Sequence, residues 1–154
     1  MNADYVFIDT GAFIALSATR DKYHKSAVKI YSELLDTHSN LLTTNHILDE
    51  VYNYLLWDNT LGHKAAVKFG NMIYDVSSPV YLGTEICDLP ISANLIIVYS
   101  THEIEKRAWE IFNQYNTAGF SFTDCVSFAV MQKLGMKKSF SFDHHFDILS
   151  FERL

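Results

Sequence analysis

The sequence contains few of the features that mark secreted, fibrous or membrane-spanning proteins. Its 154 residues include only two cysteines, two prolines and six glycines, so we expect neither a disulfide framework nor a low-complexity segment. No apolar run approaches the roughly 20 residues that a membrane-spanning helix needs. The N-terminal residues 1–5 lack the basic start of a signal peptide. These absences predict a cytoplasmic protein without membrane association, in which Cys87 and Cys125 are reduced packing residues.

Basic charge is also scarce. Twelve lysines and arginines stand against eighteen acids, which gives a net charge of -6. A polyanion is repelled by such a chain except at a local basic patch or at a bound cation. Lys22, Lys25 and Lys29 form one local row, which is typical of a solvated helix face and is also a candidate contact for RNA phosphates.

Apolar residues, in contrast, are plentiful. They make up 49% of the chain, aromatics alone 14%, and a chain of this length buries a substantial single core. Period-2 and continuous apolar runs predict strands at 5–8, 41–44, 95–99 and 139–142, with 148–151 as a candidate last strand. Helical periodicity predicts helices at 12–16, 21–35, 45–59, 63–74, 101–115 and 123–134.

Strands and helices therefore alternate along the chain with short connections. This order predicts an α/β protein, a three-layer α/β/α sandwich with a mainly parallel central sheet, formed by residues 1–154 as one domain. Residues 77–93 contain both prolines and show no clean periodicity, so we expect an irregular insertion near residues 77–94. Asp21, Asn45 and Thr123 are the expected helix N-caps.

Four acids follow the predicted strands or begin the helices after them: Asp9, Glu50, Asp124 and Asp143. The carboxyl ends of parallel strands meet at one edge of the sheet, where open α/β folds bind their ligands. Clustered carboxylates repel one another unless a cation relieves the repulsion. A hard divalent ion such as Mg²⁺ takes oxygen ligands and promotes phosphodiester hydrolysis, so the pattern favours a metal-dependent reaction on a phosphate ester.

The segments that carry these acids resemble the four motifs of the PIN-domain nucleases. The resemblance extends from about residue 5 to residue 150 and is greatest to the short single-domain toxins of the VapC type. The four segments are FIDTGAF at 7–13, ILDEV at 47–51, FSFTD at 120–124 and FSFDHHF at 140–146.

The resemblance implies a function and a site. Asp9, Glu50, Asp124 and Asp143 would be the catalytic, metal-binding acids, and the Thr10 hydroxyl would support them as a ligand or by positioning water. One or two Mg²⁺ or Mn²⁺ ions would activate the water that hydrolyses RNA to a 5′-phosphate and a 3′-hydroxyl. A cognate antitoxin would hold the enzyme inactive, and the chain would form a homodimer.

Other interpretations start from the same residues. Taken singly, Asp9 is typical of a turn and Asp124 of a helix N-terminus. The pair His144 and His145 suggests zinc, but without ligand-spaced partners a turn or groove role is favoured. Asp147 is expected to contribute to the metal site at most indirectly, without binding the ion. A noncatalytic PIN-like module that binds RNA or protein is the main alternative function; glycine-rich nucleotide loops are absent from the sequence.

Overall fold

A six-stranded sheet organises the part of the chain that the computed structural model describes, residues 5–81 and 95–154. The strands are β1 Tyr5–Ile8, β2 Asn40–Thr44, β3 Ser77–Tyr81, β4 Leu95–Tyr99, β5 Lys138–Phe140 and β6 Glu152–Arg153. They lie in the order β3-β4-β2-β1-β5-β6, and every pairing between these strands is parallel. The prediction of a mainly parallel central sheet is confirmed.

Helices connect the strands and cover both faces of the sheet. They are α1 Thr10–Ser17, α2 His24–Asp36, α3 Asn45–Trp57, α4 Gly62–Val76, α5 His102–Gln114, α6 Phe122–Leu134 and α7 His145–Ile148. The connection from β1 to β2 and the connection from β4 to β5 run in opposite directions across the sheet. Right-handed crossovers therefore put α1 and α2 on one face and α5 and α6 on the other, which makes the predicted α/β/α sandwich.

The direction in which successive strands are added to the sheet reverses at β1, although the strands themselves remain parallel. Starting from β1, the first crossovers place β2, β3 and β4 on one side, whereas β5 and β6 lie on the other. One further backbone bond extends the β1–β5 pairing, from the Asp9 N–H to the Phe140 carbonyl at 3.1 Å. The residues that follow β1 and β5 therefore emerge side by side at the switch point, the usual ligand-binding crevice of such sheets.

Helix α6 lies deep in the core and fixes one end of that crevice. Its residues from Cys125 to Met131 are all buried, and the Phe128 ring packs edge-on against Phe120 at 5.0 Å and Phe146 at 5.1 Å. Cys125 is a free, buried thiol, as predicted, and burial raises its pKa to about 11. Cys87 lies outside the described residues. This buried packing fixes the position of α6, and with it the position of its first turn.

Two helix caps differ from the prediction. The cap of α6 is Ser121, not Thr123: its hydroxyl accepts from the Asp124 N–H at 3.0 Å, and Asp124 accepts in return from the Ser121 N–H at 2.8 Å. The cap of α3 is Thr44, whose hydroxyl accepts from the Ile47 N–H, while Asn45 accepts instead from the Ser100 N–H at 2.9 Å. In both cases the cap is the last residue with extended backbone, which a single sequence does not fix to one position.

Three other local predictions also need correction. Helix α2 begins at His24, because the Asp21 carboxylate accepts from the Tyr23 N–H in a turn that precedes the helix. The loop expected from residue 77 starts instead as strand β3, whose Pro79 is tolerated because the strand lies at the edge of the sheet. Residues 82–94 of that expected insertion lie outside the described residues. The final strand is β6 rather than 148–151, where α7 ends.

Within residues 5–81 and 95–154, the helices are too short or too polar to cross a lipid bilayer.

Candidate active site

The carboxylate of Asp9 is buried at the carboxyl end of β1. The residue is 6% exposed and occupies the N-cap position of α1 with extended backbone. Its side chain does not cap the helix; one oxygen instead accepts a hydrogen bond from the Ser141 hydroxyl at 2.7 Å. The Asp9 carboxylate does not cap α1 and lies against the end of β5, so it is available to bind a ligand.

Ser141 joins the ends of β1 and β5. Its hydroxyl donates to Asp9, and its oxygen accepts from the backbone N–H of Asp143 at 3.0 Å. The Asp143 carboxylate then accepts from the His145 N–H at 2.9 Å, which closes a turn. With 35% of its side chain exposed, Asp143 faces the solvent side of the same group. One 2%-exposed serine therefore sets the relative position of two acids.

Asp124 approaches from the first turn of α6. The reciprocal bonds with Ser121 fix its side chain, which is 13% exposed. One of its oxygens lies 3.3 Å from Nδ1 of His145, and the same nitrogen lies 3.2 Å from an oxygen of Asp143. Asp124 is therefore both a capping residue and a member of the acid group, so the two interpretations of this residue do not exclude each other.

Glu50 is connected to the group through Thr10. The Thr10 hydroxyl donates to a Glu50 oxygen at 2.6 Å, which links α1 to the second turn of α3. Since Thr10 follows Asp9 directly, this bond holds Glu50 beside the end of β1. The role of Thr10 as a ligand or water-positioning group stays a prediction.

The acids perturb one another electrostatically. Burial raises the pKa of Asp9 to about 7, and the negative charges of Asp124 and Asp143 add to the rise, while the hydrogen bond from Ser141 opposes it. Burial also raises the pKa of Asp124, with Asp143 contributing in the same direction. Asp9, Asp124 and Asp143 are thus close enough for each further negative charge to be costly.

Two basic side chains lie near these acids: His145 is within ion-pair distance of Asp124 and Asp143, and Arg153 interacts electrostatically with Asp143. In the part of the chain that the structure describes, no lysine or arginine forms an ion pair with Asp9, Asp124 or Asp143. The ring nitrogen Nδ1 of His145 is buried and, although it is near two carboxylates, it has no hydrogen-bond partner among the described residues. A buried carboxylate with a raised pKa, and a buried nitrogen without a hydrogen bond between two further carboxylates, fit a cation, and oxygen donors from three elements fit a divalent one.

Two neighbouring residues have different roles. Asp147 pairs with Arg153 through two hydrogen bonds of 2.7 and 2.8 Å at the surface, which lowers the pKa of Asp147. The His144 side chain is 75% exposed, and its Nδ1 lies 3.6 Å from Asp143. Donor atoms of Asp143, His144 and His145 come within 4.8 Å of one another.

Sequence reasoning did not assign Ser141 to the site, and for His145 it favoured a turn or groove role over metal binding. Both lie within the FSFDHHF segment, so their closeness to Asp143 in the sequence was the available signal. A serine one residue after a strand and a histidine two residues after an acid are common in loops. Only the pairing of β1 with β5 reveals that Ser141 faces Asp9.

A large cavity among the described residues lies elsewhere. It measures about 820 Å³, its lining is mostly apolar, and it is bounded by α1, α2, α4 and the first residues of β2 and β4. None of the four acids lines it. This cavity is therefore separate from the acid group, which charge and geometry identify as the candidate active site.

Comparisons with known proteins agree with this geometry. A family model described as PIN domain matches residues 6–152. The 23S rRNA-specific endonuclease VapC20 of Mycobacterium tuberculosis is 27% identical over 146 residues, which are 95% of each chain. A VapC ribonuclease of Archaeoglobus fulgidus is 30% identical over 143 residues, 92% of this chain and 78% of the relative.

The fold is also similar to a solved structure. The crystal structure of M. tuberculosis VapC20, described as a sarcin-ricin loop cleaving toxin, matches with a TM-score of 0.74 at 26% identity. The match covers 97% of this chain and 98% of that one. The α/β/α sandwich is therefore common to both proteins.

The buried Asp9 carboxylate makes a prediction about stability and pH. Its folded-state pKa of about 7 exceeds the unfolded value of 3.8, so the folded state binds more protons between these values. Stability of the metal-free protein must then fall as pH rises through this window, by at most about 4 kcal/mol from this group. Asp9→Asn removes the titration, so we expect the variant to lose less free energy of unfolding than the wild type between pH 5 and pH 8.

Urea unfolding of both proteins in EDTA at the two pH values measures this difference. The other titrating groups are present in both proteins, so the comparison isolates Asp9. Parallel losses in wild type and variant would mean that the carboxylate does not titrate in this range.

Proposed function

We propose that this chain, which belongs to the PIN-domain family, is an endoribonuclease that hydrolyses RNA phosphodiester bonds with a bound divalent metal ion. The observation that carries the proposal is the convergence of Asp9, Asp124 and Asp143 from three elements, with one carboxylate buried and no lysine or arginine in an ion pair with any of the three among the described residues. The names of the relatives support RNA as the substrate class.

In the proposed mechanism, each acid would hold the ion from a position that its own hydrogen bonds orient. Ser141 orients Asp9 and Asp143, the capping interaction orients Asp124, and the Thr10 hydroxyl orients Glu50. Mg²⁺ or Mn²⁺ bound there would supply an activated water and would stabilise the charge of the phosphate oxygens. The water oxygen bonds to phosphorus as the bond from phosphorus to the 3′ oxygen breaks, which leaves a 5′-phosphate and a 3′-hydroxyl.

A basic and aromatic rim beside Asp143 supports binding of an RNA strand. The Tyr23 ring stacks on Phe142, the residue before Asp143, at 4.4 Å and nearly parallel. The Lys22 ammonium lies 4.7 Å above the Tyr23 ring. Both residues are exposed, and with Phe142 on one face of the Tyr23 ring and the ammonium on the other, this edge of the site presents a positive charge held on an aromatic ring. A cation in this place supports contact with RNA phosphates.

The solved relative is described as a toxin, which supports a toxin role for this chain. We further propose that a cognate antitoxin holds the enzyme inactive. We propose that the chain also forms a homodimer. Trp109 and Phe112 on α5 are 61% and 40% exposed and touch one another with ring centroids 5.8 Å apart, which makes an apolar patch suited to protein contact. An RNA substrate puts the proposed site of action in the cytoplasm.

Cleavage of a mixed RNA pool by antitoxin-free protein tests the function. We expect cutting with Mn²⁺, none with EDTA, and at least a 100-fold loss in Asp9→Asn and Asp143→Asn, because each removes roughly 3 kcal/mol of stabilisation of the reacting phosphate. Asp147→Asn is the matched control: it removes an acid four residues from Asp143 that pairs with Arg153, and it should cut as the wild type does.

Product ends should carry 5′-phosphates. A protein that binds Mn²⁺ but never cuts RNA would contradict the proposal and favour the noncatalytic PIN-like module that binds RNA or protein.

The rim makes a separate prediction about substrate binding. Lys22→Ala should weaken RNA binding to a catalytically inactive Asp9→Asn background several-fold, and the dependence of log K on log salt should become shallower by roughly 0.7, since one phosphate contact is lost. Lys64→Ala, an exposed lysine on α4, is the control with the same charge change. Equal effects of the two changes would show that only net charge matters.

A further inference from the structure

The imidazole of His145 occupies an unusual position between two of the acids. Its Nδ1 lies 3.3 Å from an oxygen of Asp124 and 3.2 Å from an oxygen of Asp143. At such distances an N–H normally points at one of the oxygens. Here neither oxygen forms a hydrogen bond with the nitrogen, which is buried without a hydrogen-bond partner in the described part of the chain. The nitrogen therefore lies within ion-pair distance of two carboxylates and is hydrogen-bonded to neither.

The two separations match those of donors that share one metal ion. Octahedral ions of this class hold ligands at about 2.1 Å, so two adjacent ligands lie about 3.0 Å apart. The distances from Nδ1 to the two carboxylate oxygens are within a few tenths of an ångström of that value. Hydrogen bonding requires the N–H to point at an oxygen, whereas a shared ion requires the lone pair to point between the oxygens. The lack of hydrogen-bond geometry agrees with the second arrangement.

The ring is also held in place. The His145 backbone N–H donates to the other oxygen of Asp143 at 2.9 Å, so the carboxylate and the imidazole are fixed relative to each other. The Phe120 ring packs edge-on against the imidazole at 5.2 Å, and only 17% of the side chain is exposed. A rigid donor next to rigid carboxylates is the arrangement that lowers the cost of binding an ion.

We propose that Nδ1 of His145 is a direct ligand of the divalent ion, adjacent to Asp124 and Asp143. The inference rests on the proposed function, since it adds a nitrogen donor to the same metal site. Mg²⁺ prefers oxygen ligands, whereas imidazole suits transition-metal ions better. The donor set of this chain therefore selects Mn²⁺ over Mg²⁺ more strongly than an all-carboxylate site does.

Pulsed EPR of the Mn²⁺-loaded protein tests the ligand directly, because a coordinated ¹⁴N modulates the electron-spin echo. We expect nitrogen modulation in the wild type and in His144→Ala, and none in His145→Ala. His144 is the matched control, since it is adjacent, also near Asp143, and 75% exposed. Spectra of wild-type protein with ¹⁵N-labelled histidine, in which the ¹⁴N modulation should vanish, keep the test valid if His145→Ala fails to fold.

Calorimetric titration with Mn²⁺ and with Mg²⁺ supplies the second readout. His145→Ala should weaken Mn²⁺ binding at least tenfold, since even the loss of a residue that only hydrogen-bonds to a metal ligand typically has an effect of this size. The variant should also have a lower ratio of Mn²⁺ to Mg²⁺ affinity. His144→Ala should leave both affinities within about twofold of the wild type, because an exposed side chain adds little.

The outcomes separate this inference from the proposed function. Bound Mn²⁺ without nitrogen modulation in the wild type overturns the inference, and RNA cleavage by the same sample then leaves the nuclease intact. Modulation that is lost in His144→Ala but kept in His145→Ala overturns it in favour of the neighbour. Failure of the wild type to bind Mn²⁺ at all removes both the ligand and the proposed metal site.

Discussion

The burial of the Asp9 carboxylate is the constraint on which the rest of the site depends. A carboxyl group at the end of a parallel strand, covered by the core and near two other acids, disfavours its charged form, so its pKa rises to about 7. Its hydrogen bond with Ser141 opposes this effect and aligns the ends of β1 and β5. The fold tolerates the acid in this place only because the surrounding structure fixes it, and a cation there would remove the cost.

The topology of the sheet supplies the neighbours of that acid. The order in which strands are added to the sheet reverses between β1 and β5, so the residues after these two parallel strands share one crevice. The first turn of α6 faces the same crevice. Buried packing of α6 and the capping bonds between Ser121 and Asp124 then hold the third carboxylate still. Ser141 thus fixes Asp9 and Asp143 together, whereas Asp124 is held separately by the cap of α6.

The main features of this fold follow from the sequence, whereas several details of the site do not. Apolar runs locate β1, β2 and β4 because buried strands need continuous apolar residues, and the acids that follow them are visible without a structure. The α6 cap is Ser121 rather than Thr123 because the helical backbone begins at Phe122, one residue after Ser121. The sequence alone does not fix that starting residue. The contribution of His145 depends on the turn closed by Asp143 and on an approach from α6, and neither is encoded in local spacing.

The central claim is that three carboxylates on separate elements form one cation site. Anomalous diffraction from a crystal soaked in Mn²⁺ tests it most directly, because it locates the ion independently of activity. The account predicts a peak about 2.1 to 2.3 Å from oxygens of Asp9, Asp124 and Asp143. Saturating Mn²⁺ with no peak among these oxygens, or with a peak held only by Asp143 and the exposed His144, would contradict it.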